Sequence, residues 1–161
     1  MMKSKKKSLP FIMLNITMLF LFFCIAYKLY KTNYGNTIYC DMNFVVSNYG
    51  MTIPVIGALS LSEGKGRIYL DGPVYQDGNK IGFLSKEVFF SSIQDKNTVI
   101  FTGVKIYTPN KNNISQNVAE KVLPDFFVRE NSRISFKIAK ENDGYFFFKD
   151  GVPLFYCKDS K

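Results

Sequence analysis

Three cysteines are the residues of this sequence best equipped for chemistry, and no histidine accompanies them. Without histidine the chain lacks the commonest general base, the commonest zinc ligand and the usual near-neutral proton switch. A Ser-His-Asp triad is therefore excluded, and there is neither a Cys-x-x-Cys motif nor a glycine-rich phosphate loop. Ser85-Lys86 and Ser4-Lys5 are adjacent rather than spaced for Ser-Lys hydrolysis, which leaves that chemistry as a minor alternative. The acids are scattered at turns, where a solvated aspartate is the plain explanation. The expectation is a protein without enzymatic activity, cofactor or metal. Cys24 falls in an apolar run, Cys40 opens the first strand-like stretch, and Cys157 nearly closes the last. An even pair in an exported domain suggests a Cys40–Cys157 disulfide. A bridge closing so long a loop contributes about 4–5 kcal/mol in the chain-entropy account. The alternative is two unpaired buried thiols.

The element that would carry such a domain out of the cell stands at the N-terminus. Residues 8–27 hold no charge, and 20 residues at about 1.5 Å each cross about 30 Å of hydrocarbon. Six of the 21 basic residues lie in residues 1–31, which contain no acid, so 15 remain against all 13 acids elsewhere. The net charge of +8 thus belongs mostly to the membrane flank, and direct nucleic-acid binding is not expected. Four lysines precede the run and two follow it, which puts the N-terminus in the cytoplasm. The expected organisation is a cytoplasmic tail over 1–8, a transmembrane anchor over 9–30, a tether over 31–37 and a periplasmic β-rich domain over 38–161. The rival reading is a cleaved signal peptide, but Cys24-Ile25-Ala26 is a poor cleavage site.

Beyond the anchor, period two dominates. Cys40, Met42, Phe44 and Val46 share one parity; so do Met51, Ile53, Val55, Gly57, Leu59 and Leu61. Similar sets run through Ile68–Val74, Val99–Tyr107 and Ile134–Ile138. Such alternation means half-buried strands. Asp-Gly pairs at Asp143-Gly144 and Asp150-Gly151 lie between apolar runs, as hairpin turns do. Pro54 and Pro73 predict edges or bulges. Ile114, Val118 and Val122 recur at helical spacing after Ser115, and Pro124 ends the run, so one short helix is expected near 115–123. The order is about five strands, a helix, then two or three strands: a mainly β domain, an antiparallel barrel or sandwich with one short helix.

Aromatic side chains crowd the end of the chain, at Phe126-Phe127, Tyr145-Phe146-Phe147-Phe148 and Phe155-Tyr156. Four consecutive aromatics on a strand cannot all face one side, so two of them point outward. Phe126, Phe127, Tyr145, Phe147 and Phe155 are the candidate partner or ligand interface; burial under the helix is the alternative.

The layout resembles the FidL-like and ToxS-type accessory proteins, among them the PsaF and MyfF proteins of fimbrial operons. The shared features are the basic tail and anchor, Tyr39-Cys40, Leu70-x-Gly72, Leu123-Pro124 and the closing Gly151-x-Pro153-x-Phe155-x-Cys157. The resemblance covers nearly the whole chain, but its motifs are short and mostly structural. It implies an inner-membrane protein whose periplasmic domain binds, stabilises and tunes a ToxR-like single-pass transcriptional activator of fimbrial or virulence genes. It also implies a lipocalin-like barrel that accepts bile-salt-like amphipathic ligands, and no catalytic residues. Proteins of this type are associated with induction by mild acid. With no histidine present, sensing by this chain would have to run through a carboxylate raised by burial, Asp125 first and Glu87 second. The alternative for Asp125 is a solvated turn after Pro124. A different reading of the same layout is a membrane-anchored chaperone or assembly factor for exported fimbrial subunits.

Overall fold

The structure, a computed structural model, describes residues 9–34 and 37–160, with side chains for 13–28 and 37–160. It separates into two compact units, residues 1–36 and 37–161. The expected cytoplasmic tail, 1–8, lies outside the described residues.

The first unit contributes one helix, α1 (Leu9–Tyr34). It runs through the expected anchor and on through the first four residues of the expected tether. All side chains of residues 13–28 are exposed, and most are apolar. Thr17 satisfies its hydroxyl on its own helix, at Met13 O (3.1 Å) and Leu14 O (2.9 Å), which is how a polar residue is tolerated on an apolar helix. Among the described residues no helix is long and apolar enough to cross a membrane. The described side chains span sixteen positions, fewer than the about 20 that a bilayer requires.

The second unit is a closed barrel of eight antiparallel strands in chain order: β1 (Ile38–Asn48), β2 (Met51–Ser62), β3 (Lys65–Gln76), β4 (Asn79–Asp95), β5 (Thr98–Tyr107), β6 (Arg133–Glu141), β7 (Gly144–Lys149) and β8 (Val152–Asp159). The sandwich alternative is thereby set aside. Between β5 and β6 come α2 (Gln116–Val122) and a 3₁₀ turn, Asp125–Phe127. The Ser115 hydroxyl accepts from Val118 N and caps α2, as its position before the apolar run suggested. The 3₁₀ turn was not expected; it lies where the sequence shows only Pro124 ending a helix.

Tight turns set the register. Tyr49-Gly50, Glu63-Gly64, Asp77-Gly78 and Asp150-Gly151 each pair two positive φ values, between 49° and 83°. That is the two-residue hairpin geometry whose twist matches the strands it joins. Asp143-Gly144 does not turn in this way: Gly144 is the first residue of β7, already paired with Glu141 and Lys158. Neither proline lies at an edge of the closed barrel, but β3 shifts register against β4 between Val74 and Tyr75, next to Pro73, as the expected bulge required. Thr52↔Tyr75 and Ile56↔Asp71 keep one register on both sides of an unpaired stretch, which sets Pro54 opposite Pro73. Neither residue has an N–H to donate, so facing each other they silence one stretch of ladder instead of orphaning two partners. Gly72 beside them is required: a Cβ there would stand 3.1 Å from Ile53 Cγ2 and 3.2 Å from the Pro54 carbonyl carbon.

Two free stretches of strand edge are covered by the chain itself. Along β4, Asn113 N donates to Phe83 O, while Asn113 Oδ1 and Asn112 Oδ1 accept from Phe83 N and Ser85 N. Along β5, Gly103 N donates to Ser132 O and Asn131 N to Gly103 O.

The barrel closes between β1 and β8, whose ladder has three pairs: Cys40↔Asp159, Asp41↔Lys158 and Met42↔Cys157. The Cys40–Cys157 disulfide spans this seam, with Cα atoms 5.3 Å apart and a sequence separation of 117. Six phenylalanines, one from each of six successive strands, continue the closure inside. Ring centroids are 4.3 Å apart for Phe90–Phe101, 5.6 Å for Phe101–Phe136, 5.5 Å for Phe136–Phe147, 4.6 Å for Phe147–Phe155 and 5.2 Å for Phe155–Phe44. The last contact crosses the seam. Aliphatic side chains of β2 and β3, including Ile53, Val55, Ile68 and Leu70, complete the core.

Because the bridge staples the shortest ladder, its loss is felt by the whole barrel. Cys40→Ser or Cys157→Ser, or reduction of the wild type, should lower unfolding free energy by about 2–5 kcal/mol. Urea denaturation with and without reductant measures this. Equal midpoints would show that the barrel closes without the bridge.

Candidate functional site

The inner face of β4 carries Leu84, Lys86, Val88 and Phe90, all of them buried. Lys86 is therefore a cation on an apolar stripe, opposite Leu70 in the β3–β4 register. The alternation of this stretch contained the signal: Lys86 has the parity of its three apolar neighbours. The residue is 4% exposed. Its ammonium donates to Thr108 Oγ1 at 2.9 Å and to Gln116 Oε1 at 3.3 Å. Both acceptors are neutral, and none of the ion pairs among the described residues includes Lys86. Burial pushes its pKa below the ordinary lysine value, while the charge of Glu120 acts in the opposite sense.

Gln116, the first residue of α2, relays this cation toward the surface. Its Nε2 donates to Glu120 Oε1 (3.0 Å) and Val128 O (3.1 Å). Glu120 pairs with Arg129 at 3.5 Å, and Arg129 reaches Asp125 at 3.8 Å. The Gln116 hydrogen bond above all holds the Glu120 carboxyl below its ordinary value; burial, the next effect, opposes it, and Arg129 and Lys86 add to the lowering. Beside α2 lies a cleft of roughly 880 Å³, lined by Asn48, Tyr49, Met51, Gln76, Val118 and Leu123 among others. Asn48 Nδ2 donates to Lys121 O across it at 3.0 Å, tying the β1–β2 hairpin to α2.

A second polar cluster lies on the outer face of β3 and β4. Lys111 donates to both Asp71 and the Tyr69 hydroxyl, and that hydroxyl donates to Asp71. The Lys111 ammonium also stands 5.1 Å from the Tyr69 ring centre and 5.8 Å from that of Phe83. Ser85 Oγ and Asp71 Oδ1 are buried with no hydrogen bond of standard geometry; Ser85 sits directly opposite Asp71 in the register. Burial acts to raise the Asp71 carboxyl, but the hydrogen bonds from Lys111 and Tyr69 act against it, and the carboxyl lies below its ordinary value.

The residues expected at an interface are distributed differently. Phe126, Phe127 and Phe147 are buried in the core, and Tyr145 and Phe155 pack against it half-buried. None of the five forms an exposed patch. Their inward parity, or the 3₁₀ turn in the case of Phe126 and Phe127, explains it. The outward pair of the aromatic run is Phe146 and Phe148, with Tyr156 beside Phe146 at 4.8 Å. Tyr156 donates to Asp143 and its pKa is pushed up to about 12, first by that bond. Asp125 is 64% exposed, so the desolvation that acid sensing there requires is missing; the 3₁₀ turn buries the two phenylalanines and leaves the carboxylate in water. Glu87 lies on the outer face, 3.3 Å from Arg67, and points away from Lys86 on the adjacent position of the same strand.

Exposed apolar side chains on the barrel are spread over several strands, among them Ile56, Ile93 and Val104, and three others flank the seam. Beyond Met42↔Cys157 no ladder joins residues 43–48 of β1 to residues 152–156 of β8. Continuing the register sets Val45 opposite Leu154, both on the outer face, 63% and 47% exposed, with Val152 at 60%.

The profile of one protein family, the YqeJ C-terminal domain, matches residues 37–157. The chain belongs to the YqeJ C-terminal domain family. The match begins at the first residue of the barrel unit and ends on the second cysteine of the bridge, within β8. No curated protein and no solved structure matches the chain significantly.

The Asp71 cluster predicts a pH dependence. A carboxyl with a folded pKa below its unfolded value adds stability above about pH 4, and that contribution is lost as pH falls through the folded value. Asp71→Asn should therefore destabilise the protein at pH 7 and narrow its gap from wild type below pH 3. Denaturant midpoints at both pH values measure this; a gap of constant size would remove the ionic role of Asp71.

Proposed function

We propose that this chain is an accessory protein of the FidL-like and ToxS-type kind, anchored in the bacterial inner membrane by its N-terminal helix. Its periplasmic barrel binds and stabilises the outer domain of a ToxR-like single-pass transcriptional activator and tunes that activator's output. The observation that carries this reading is the seam. Residues 43–48 and 152–156 present strand edges to each other without a ladder, flanked by exposed Val45, Val152 and Leu154. An unpaired edge with apolar side chains beside it suits an added strand: main-chain hydrogen bonds supply affinity, and alternate side chains supply specificity. The disulfide suits an oxidising compartment, and the charge-free run of residues 8–27 with its flanking lysines suits an anchor. Two anchored partners share one membrane, which raises their effective concentration.

A bile-salt-like ligand in the lumen gains no support from the seam. The interior is crossed by the phenylalanine belt, and the cleft beside α2 has mixed polar walls. Acid sensing, if the system has it, is assigned to the partner. No catalytic role is assigned to this chain.

Co-purification of the two full-length proteins from membranes tests the seam. Val45→Lys and Leu154→Lys place charges where the added strand would lie and should reduce retained activator by about tenfold or more, as burying an unpaired charge costs more than 1.4 kcal/mol. Ile93→Lys, an equally exposed position on β4, should leave it unchanged. Full retention by both seam variants would sink the docking site, and retention of a fimbrial subunit in place of the activator would turn the reading into an assembly factor.

A further inference from the structure

Among the described residues, six other than glycine hold a positive φ: Tyr49, Glu63, Asp77, Lys96, Asn131 and Asp150. Five of them carry a charge or an amide, and Tyr49 alone is aromatic. The left-handed region costs free energy for a residue with a Cβ, least for asparagine and aspartate, and a bulky side chain there is an outlier. The Tyr49 side chain is also 77% exposed, so little burial offsets that cost. The fold gains on neither count from a tyrosine in this turn. A ring held in solvent on a strained backbone suits recognition, where tyrosine supplies a large, rigid, amphipathic contact.

The turn that carries Tyr49 is fixed on two sides. Asp77 N, in the β3–β4 turn, donates to Gly50 O at 3.3 Å, and Asn48 Nδ2 donates to Lys121 O on α2 at 3.0 Å. Between this hairpin and α2 lies the cleft of roughly 880 Å³, which Tyr49 lines together with Gln76 and Val118. Asn48 is both the last residue of β1 and part of the cleft wall, so the cleft begins where the unladdered stretch of the seam ends. Two charged residues also line it. Glu120 is engaged by Arg129 at 3.5 Å, whereas Lys121 belongs to none of the ion pairs among the described residues.

We propose that this cleft is a second contact for the ToxR-like activator, with Tyr49 as its anchor. An extended segment of the activator's outer domain seats an apolar side chain between Tyr49 and Val118 and an acidic side chain beside Lys121. The Gln76 amide and the Tyr49 hydroxyl serve the main chain of that segment. Hairpin and helix are already tied to each other, so docking orders little of this chain. The inference rests on the activator reading and extends it past the seam.

Thermal unfolding of the full-length protein, paired with its co-purification with the full-length activator from membranes, tests the contact. Tyr49→Asn suits the backbone and removes the ring. It should raise the thermal midpoint by about 2–5 °C and reduce retained activator by about tenfold. Glu63→Asn makes the same kind of backbone change in the β2–β3 turn; it should raise the midpoint and leave retention unchanged. Lys121→Gln should lower retention by about twofold to threefold, the weight of a charge at an interface rim. Tyr49→p-benzoylphenylalanine, photo-activated in the same membranes, should join this chain to the activator. Full retention by Tyr49→Asn, a lowered midpoint in that variant, or a photo-adduct with a second copy of this chain would each overturn the contact and leave the activator reading to the seam variants. No retention of the activator by the wild type would overturn both.

Discussion

Closing an eight-stranded sheet on itself requires its first and last strands to meet, and here they meet through three residue pairs. Every other property of the barrel depends on that short contact. Strand pairing so far apart in sequence carries the full cost of loop closure before any ladder bond forms. Two devices offset it. The disulfide joins the strands at the paired end, and the Phe155–Phe44 stack joins them beyond it. The stack belongs to a belt of rings from β4 round to β1, in edge-to-face and offset geometries that add to simple burial. The seam is thus held by side chains where it is not held by a backbone ladder.

The connection between β5 and β6 shows the opposite treatment of free edges. Residues 112–113 bond to β4, residues 131–132 bond to β5, and α2 with the following 3₁₀ turn lies between them. Phe126 from that turn packs on Phe90 and Phe101, so the cover is part of the core. The same cover brings Gln116 to Lys86. One connection therefore seals two edges, caps the interior and meets the interior's buried charge, while the β1–β8 gap is left without a strap.

Much of this was legible in the residues taken in order. Alternation marked the strands, Asp150-Gly151 marked the last hairpin, and Ser115 with Pro124 bounded α2, because each of these is a local signal. The Cys40–Cys157 pairing was legible for a different reason, the even pair at the two ends of one β-rich domain. What was not legible depended on contacts distant in sequence. Barrel and sandwich share the same alternation, and only the β1–β8 register separates them. Phe126, Phe127 and Phe147 read as sticky surface because aromatic density does not state a direction. Pro54 and Pro73 read as edges or bulges because nothing local says that they face each other. The 3₁₀ turn after Pro124 inverted the expectation for Asp125 by burying its neighbours and exposing it. Lys86 was legible in principle by parity, but a lysine beside Glu87 reads first as a surface pair.

The central claim is that the unladdered part of the seam is an open docking edge rather than a closed wall. Residue-resolved amide exchange of the full-length protein, alone and with the outer domain of the proposed ToxR-like activator, measures it directly. The account predicts fast exchange for amides of residues 43–48 that point toward β8 and for residues 152–156 that point toward β1. It predicts slow exchange in the β2–β3 and β3–β4 ladders, and strong protection of the seam amides once the activator is added. Seam amides as protected as those of β3 in the protein alone, or unchanged on adding the activator, would contradict it.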